Sequence, residues 1–220
     1  MKKIFYSTLS IALLAVSISS CGKSSKGKMA NDWKVTEYNS TETDNQSNGD
    51  KTVTTTSMTE STATMTTATT TGSSTTTTTQ TGTVNKNEMT IDKDGTWTAT
   101  RDITSTQVVF GATATTQMTM TTSGTWAFVG KTKGDDFKKN ERVMFNTLSE
   151  TNTQVYTVGG SSQTSTSTDT YLTGENVMIY TVTDSKGKEL ALETEIGNSN
   201  TSGGTTSSSS GKTSMKLTQK

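Results

Sequence analysis

The amino-acid sequence predicts an all-β protein, an antiparallel up-and-down barrel or flattened barrel of about eight to ten strands. Three observations support this fold class. Threonine, a β-branched residue that favours strands, is abundant throughout the chain. Apolar and polar residues alternate in many short segments, whereas helical periodicity is missing over nearly the whole chain after residue 31. Proline, which interrupts sheet ladders, is absent from the 220 residues.

The composition limits both the core and the classes of function. Only 28% of the residues are hydrophobic and 6% aromatic, whereas the apolar share of globular domains is about 45–50% including glycine. The formal net charge of zero gives no electrostatic argument for a nucleic-acid partner. The chain has no histidine and one cysteine, which excludes the usual Ser-His-Asp and Cys-His catalysis. We therefore expect a protein that is not an enzyme and uses no cofactor and no metal.

Residues 1–20 are typical of a bacterial lipoprotein signal peptide. Two lysines precede a mostly apolar stretch, 4–18, which is too short to span a membrane comfortably. The pattern Ile-Ser-Ser-Cys that ends at Cys21 resembles a lipobox, in which the cysteine becomes the first mature residue and carries the lipid. We expect lipidation at Cys21, a flexible tether over 21–31, and attachment to the periplasmic face of the outer membrane. The alternative is an ordinary secretory signal with a cysteine near its cleavage site.

Residues 32–220 are predicted to form one β domain, in which the last strand pairs with the first and removes the exposed edges. Three threonine- and serine-rich tracts interrupt the alternation, at 52–83, 159–170 and 198–211. Two interpretations are open for them, low-complexity loops or extensions of the strands. In the first tract, a break in the apolar register near 59–61 reconciles the scattered apolar residues with a strand.

The tripeptide Gly-Thr-Trp occurs twice and contains two of the three tryptophans, Trp97 and Trp126. Each copy is predicted to lead from a tight turn into a returning strand, with the turns at 92–95 and 123–124. The first turn, Asp-Lys-Asp-Gly, superficially resembles the start of a calcium-binding loop. It lacks the glycine and the glutamate that such a loop has at its sixth and twelfth positions. The sequence therefore favours a hairpin turn over a metal site.

Five aromatic residues are candidates for lining an interior cavity. Barrels of this kind hold small hydrophobic molecules between such side chains. The alternative, which the apolar-poor composition favours, is that the same side chains simply fill the core. The five are Trp97, Trp126, Phe128, Phe145 and Tyr180.

Several segments occur in an order that is typical of one protein family. After the lipobox and the tether come DWKVTEY, EMTIDKDGTW, SGTWAFVGK, KKNERVMF, YTVTDSKGKELALETE and TSMKLTQK. This order resembles the lipocalin-like lipoproteins of Bacteroidetes over roughly residues 32–220, apart from the threonine- and serine-rich tracts. The resemblance implies a small antiparallel barrel-like fold and an envelope location, but no reaction and no ligand.

The expected function is that of a lipid-anchored envelope protein with a non-enzymatic binding or structural role. Its expected partner is the membrane, through the N-terminal lipid on Cys21. The alternative is a carrier that holds a small hydrophobic ligand inside the barrel. The two differ in the interior of the barrel, since a carrier needs an apolar cavity of about 300 Å³ or more.

Overall fold

The computed structural model describes residues 25–131, 140–202 and 205–220, and it confirms the predicted all-β fold. Within these residues, eleven antiparallel strands and one short helix are present. The elements are α1 (Lys26–Met29), β1 (Asp32–Asn45), β2 (Lys51–Met58), β3 (Thr62–Thr71), β4 (Ser74–Ile91), β5 (Thr96–Val109), β6 (Ala112–Phe128), β7 (Glu141–Val158), β8 (Ser161–Thr170), β9 (Asn176–Asp184), β10 (Glu189–Ser202) and β11 (Thr205–Gln219).

Eight of the strands pair in a ring. The pairings run from β1 through β4, β5, β6, β7, β9, β10 and β11 and return to β1, so the last strand pairs with the first as expected. Two links of the ring are short, because β1 meets β4 at only three residue pairs and β9 meets β10 at three. The molecule is therefore a flattened barrel with incomplete closure.

The two ends of the barrel differ in width. At one end, near Asp32 and Gln219, the ring contains only its eight strands, and we call this the closed end. Toward the other end, the β2–β3 hairpin is inserted between β1 and β4, and β8 pairs with the outer half of β7. Among the described residues, no pairing joins β8 to β10. This wider end, which carries the hairpin loops 72–73, 110–111 and 159–160, is the open end.

The threonine- and serine-rich tracts form strands that extend the barrel at its open end. The turn between β2 and β3 falls at 59–61, where the sequence predicts a break in register. Exposed hydroxyls pair across these strands, as in Thr70 with Thr75 (2.9 Å) and Thr153 with Thr166 (3.2 Å). Each cross-strand pair of this kind contributes about 0.2–1 kcal/mol. Backbone ladders and hydroxyl pairs thus stabilise strands that bury few apolar side chains.

Residues 25–31 differ from the expected flexible tether because they pack against the barrel. The side chain of Met29 is fully buried in the core, and its carbonyl oxygen accepts a hydrogen bond from Trp33 Nε1 at 2.9 Å. The backbone N–H of Ser25 donates to Glu141 Oε2 at 3.0 Å, and Lys28 Nζ donates to the Ser185 carbonyl at 2.8 Å. Burial of Met29 and these bonds fix α1 at the closed end. Within the residues described, no helix is long and apolar enough to cross a membrane.

The main hydrophobic core occupies the closed half of the barrel. It combines α1 with the ring strands β1, β4, β5, β7, β9, β10 and β11. A smaller cluster of Met58, Ala63 and Val84 lies where the β2–β3 hairpin joins β4. The largest fully buried side chains of the main core are Trp33, Met29, Ile91, Leu190, Leu192 and Leu217.

The two Gly-Thr-Trp segments lie side by side on β5 and β6. Trp97 pairs in register with Gly124, and the Trp126 backbone N–H donates to the Gly95 carbonyl at 2.8 Å. The predicted turn at 92–95 is present, with Gly95 at φ 93°. The predicted turn at 123–124 is wrong, because β6 continues through it with a register shift against β7. The first glycine therefore turns the chain, and the second leaves room for the Asn146 carbonyl and the Trp97 indole.

Replacing Gly124 by alanine is expected to destabilise the fold by about 1–3 kcal/mol, as overpacked cores do. A Cβ atom there overlaps the Asn146 carbonyl oxygen and lies 3.0 Å from Trp97 Nε1. Urea unfolding measures the difference. Gly197→Ala is the matched control, because its Cβ meets no atom within 4 Å. Equal midpoints for the two variants contradict the role assigned to Gly124.

The loop between β5 and β6 holds an aromatic residue in a strained conformation. Phe110 has φ 49° and is fully exposed, and Gly111 follows at φ 80°. The flanking residues Val109 and Ala112 form the last pair of the hairpin. Two successive positive φ values make this a type I′ turn, in which asparagine and glycine are preferred. A left-handed conformation costs a residue other than glycine about 1–2 kcal/mol.

Replacing Phe110 by asparagine is expected to stabilise the protein by about 1 kcal/mol, since asparagine tolerates the left-handed conformation. The gain appears as a higher urea midpoint with an unchanged slope. Phe110→Ala also removes the exposed ring but keeps the strain, so it is expected to give little gain. If both variants shift the midpoint equally, the strain is not the cause.

Candidate functional site

A cavity of about 290 Å³ lies inside the barrel, between the packed core and the open end. Seven strands contribute to its wall, namely β1, β4, β5, β6, β7, β9 and β11. Small-molecule pockets in proteins have volumes of about 300–1,000 Å³, and this cavity is just below the lower limit of that range. The barrel interior is thus filled at the closed end and hollow above it.

Three of the five predicted aromatic residues line this cavity. Trp97, Phe145 and Tyr180 project from β5, β7 and β9. The rings of Trp97 and Phe145 meet edge to face with centroids 5.2 Å apart, and those of Phe145 and Tyr180 do so at 5.9 Å. Because such pairs add to the stability gained by burial, the three rings form a rigid aromatic wall.

The structure places the other two predicted residues, Trp126 and Phe128, near the closed end and outside the cavity lining. Both are partly buried and pack against the main core. Trp126 Nε1 donates a hydrogen bond to the Asp92 carbonyl at 2.7 Å, which ties the indole to the turn at 92–95. Their role in the structure is core packing. Cys21, the predicted lipidation site, lies outside the described residues.

Four methionines complete the apolar part of the wall. Methionine is flexible and polarisable, and it adapts to ligands of different shape. Tyr180 donates its hydroxyl to the sulfur of Met178 at 3.7 Å. Burial raises the pKa of the Tyr180 phenol, and the neighbouring Tyr38 raises it further. The phenol therefore stays neutral at physiological pH. The methionines are Met89, Met120, Met178 and Met215.

A charged residue that the sequence interpretation missed also lines the cavity. Arg101 follows Trp97 and Ala99 at alternate positions of β5, and all three contribute to the wall. Its guanidinium carbon lies 4.5 Å from the centroid of the Tyr38 ring, a cation–π contact. Alternate residues of a strand share a face, so the inward alternation of Trp97 and Ala99 continues to Arg101. The sequence therefore contained a signal that Arg101 faces the interior.

Three hydrogen-bond donors of the cavity wall have no partner among the described residues. They are Asn87 Nδ2, Trp97 Nε1 and Arg101 Nε. Asn87 and Trp97 are each only 7% exposed. Buried polar atoms in folded proteins are nearly always hydrogen-bonded, so the unpaired nitrogens of Asn87 and Arg101, which pair across β4 and β5, mark this part of the cavity as a candidate binding site.

The interior beyond this cavity, toward the open end, is polar. A second cavity of about 470 Å³ lies between β4, β5, β6 and β7. Its wall includes Gln80, Gln107, Gln154 and Tyr156. Along β5, residues within 97–101 line the first cavity and residues 105–107 line the second. The polar region therefore lies between the aromatic wall and the open end.

No family model, no curated protein and no solved structure matches this chain. In the part of the chain that the structure describes, no group of three or more cysteine, aspartate or glutamate residues is placed to hold a metal ion. The cavity and its donors are therefore the features from which a function is argued.

Proposed function

We propose that this chain is a lipid-anchored envelope protein whose β domain binds a small, mostly apolar molecule inside the barrel. The single observation that carries the binding role is the hollow above the core, with its wall of three aromatic residues and four methionines. An apolar molecule in the hollow covers the aromatic and thioether surfaces that the core leaves uncovered, which favours its binding. The proposed role is binding without catalysis.

The position of α1 supports attachment at the closed end. Ser25 follows Cys21 by four residues and is hydrogen-bonded to Glu141, at the start of β7. A lipid on Cys21 therefore holds the closed end near the membrane surface. The 14 residues of β5 span about 45 Å at the usual rise of a strand. The open end and its polar interior then face away from the membrane, where a ligand arrives from the aqueous phase.

Replacing Cys21 by serine is expected to abolish acylation and to move the protein from the membrane fraction to the soluble fraction. The reason is that acyl chains supply the affinity for the bilayer, about 0.8 kcal/mol for each buried CH₂ group. Fractionation and intact-mass measurement report the change, with Ser24→Ala as a control that leaves the cysteine in place. Unchanged mass and membrane association of the Cys21→Ser protein overturn the lipid attachment.

The cavity is tested with 1-octanol, a small apolar probe, by titration calorimetry and tryptophan fluorescence. Burial of its chain is expected to give binding with a negative heat-capacity change. Ala99→Phe places a ring in the cavity, since Ala99 lines it, and is expected to weaken binding roughly tenfold or more, about 1.4 kcal/mol. Ala127→Phe makes the same change at an exposed position of β6 and is expected to have no effect. Failure of the unsubstituted protein to bind 1-octanol contradicts the proposed binding role.

A further inference from the structure

We propose that the cavity selects small amphipathic carboxylic acids, with Arg101 pairing with the carboxylate and the aromatic wall holding the apolar chain. This inference rests on the proposed binding role of the cavity and adds the chemical class of the ligand. Its basis is an arginine of the cavity wall that forms no ion pair with the described residues and lies opposite Asn87, whose side-chain nitrogen has no hydrogen-bond partner there.

Arg101 is the interior cation of the cavity. It lies on β5 directly opposite Asn87 of β4 and Met120 of β6. No carboxylate in the described parts of the chain forms an ion pair with it. Its guanidinium contacts the Tyr38 ring instead, and its Nε has no hydrogen-bond partner there. Arg101 is partly buried and its positive charge lies in the cavity wall without a directly paired carboxylate, so an anionic ligand is attracted to this position.

The polar atoms near Arg101 favour a ligand group that accepts hydrogen bonds. Asn87 Nδ2 belongs to the residue paired with Arg101. Trp97 lies four residues away on the same face of β5, and its Nε1 lies against Gly124 rather than beside Arg101. All three unpaired atoms of the wall are donors. The unpaired acceptor Asn152 Oδ1 does not line this cavity. Donors of this kind match a carboxylate, whose two oxygens accept several hydrogen bonds and pair with the planar guanidinium.

Two glutamates also contribute to the wall, but the side chain of Glu88 lies on the outer face of β4, because it alternates with the buried Asn87 and Met89. Glu88 is already paired with Lys220 Nζ at 2.6 Å and with Lys86 Nζ at 3.4 Å. The hydrogen bond from Lys220 lowers the pKa of the Glu88 carboxyl. Glu150 contributes from β7, two strands away from β5. Because Glu150 carries a negative charge into the same cavity, it opposes an anion and makes the site weaker than Arg101 alone allows.

The apolar side chains of the wall determine the kind of chain that the carboxylate ligand carries. Phe145, Tyr180 and Met178 lie on β7 and β9, across the barrel from Arg101. A chain that extends from a carboxylate at Arg101 toward these residues is buried among aromatic and thioether groups. The volume of about 290 Å³ limits that chain to a short one. The class is therefore a short-chain or medium-chain monocarboxylate rather than a long acyl lipid.

The test compares sodium octanoate with 1-octanol, which have the same chain length and differ in the headgroup. The purified full-length protein is titrated with each at neutral pH by calorimetry. Octanoate is expected to bind at least about tenfold more tightly than 1-octanol. Arg101→Met is expected to remove this preference by weakening octanoate roughly tenfold, while 1-octanol binds within about twofold of the unsubstituted protein. Glu150→Gln is expected to strengthen octanoate binding and to leave 1-octanol unchanged.

The outcomes separate this inference from the proposed binding role. Equal affinities for octanoate and 1-octanol overturn the acid selectivity and leave the binding role standing, whereas binding of neither probe overturns both. Octanoate binding that survives Arg101→Met unchanged excludes Arg101 as the partner of the carboxylate. If Arg101→Met binds neither probe, Arg101→Lys decides, because it keeps the charge and is expected to retain a weaker preference for octanoate. Loss of that preference in Arg101→Lys, with 1-octanol binding intact, counts against the inference.

Discussion

The close packing of β5, β6 and β7 at Gly124, where the Asn146 backbone and the Trp97 indole leave no room for a side chain, is the constraint on which the rest of the barrel depends. It exists because two identical tripeptides pair across β5 and β6, which sets a tryptophan opposite a glycine. The missing side chain lets the indole lie close to the sheet, and the register shift of β6 against β7 follows at the same residue. From this position Trp97 contacts Phe145, which in turn contacts Tyr180. One glycine thus supports both the top of the core and the base of the cavity.

A shortage of apolar side chains explains the division of the barrel into a filled half and a hollow half. With 28% hydrophobic residues, the chain cannot fill a long barrel throughout at the usual packing density. The large side chains gather where α1 and the eight ring strands meet. The open end relies instead on backbone ladders and hydroxyl pairs such as that of Thr70 with Thr75. The cavity lies between the packed core of the closed end and the strands of the open end.

The candidate site was predictable in part. Trp97, Phe145 and Tyr180 were identifiable because large aromatic residues in an apolar-poor chain alternate inward on their strands. Trp126 and Phe128 follow the same pattern but lie nearer the closed end. Alternation predicts which face of the sheet a residue occupies, but not its distance from either end of the barrel. Arg101 has the inward parity of Trp97, yet a charged residue in a strand is normally assigned to the solvent face. Only the arrangement of seven strands around one cavity shows that Arg101 faces the interior.

The sequence by itself determined the all-β class, the turn at 92–95 and the pairing of the last strand with the first, because these follow from local alternation, turn chemistry and the need to cover sheet edges. It also carried the signal for lipidation at Cys21, which stays a prediction. The tertiary structure decided that β6 runs straight through Gly124, that 25–31 pack onto the barrel, and that a hollow remains above the core. Those features depend on which strands become neighbours and on how much volume their side chains fill, and neither quantity is a property of any single segment.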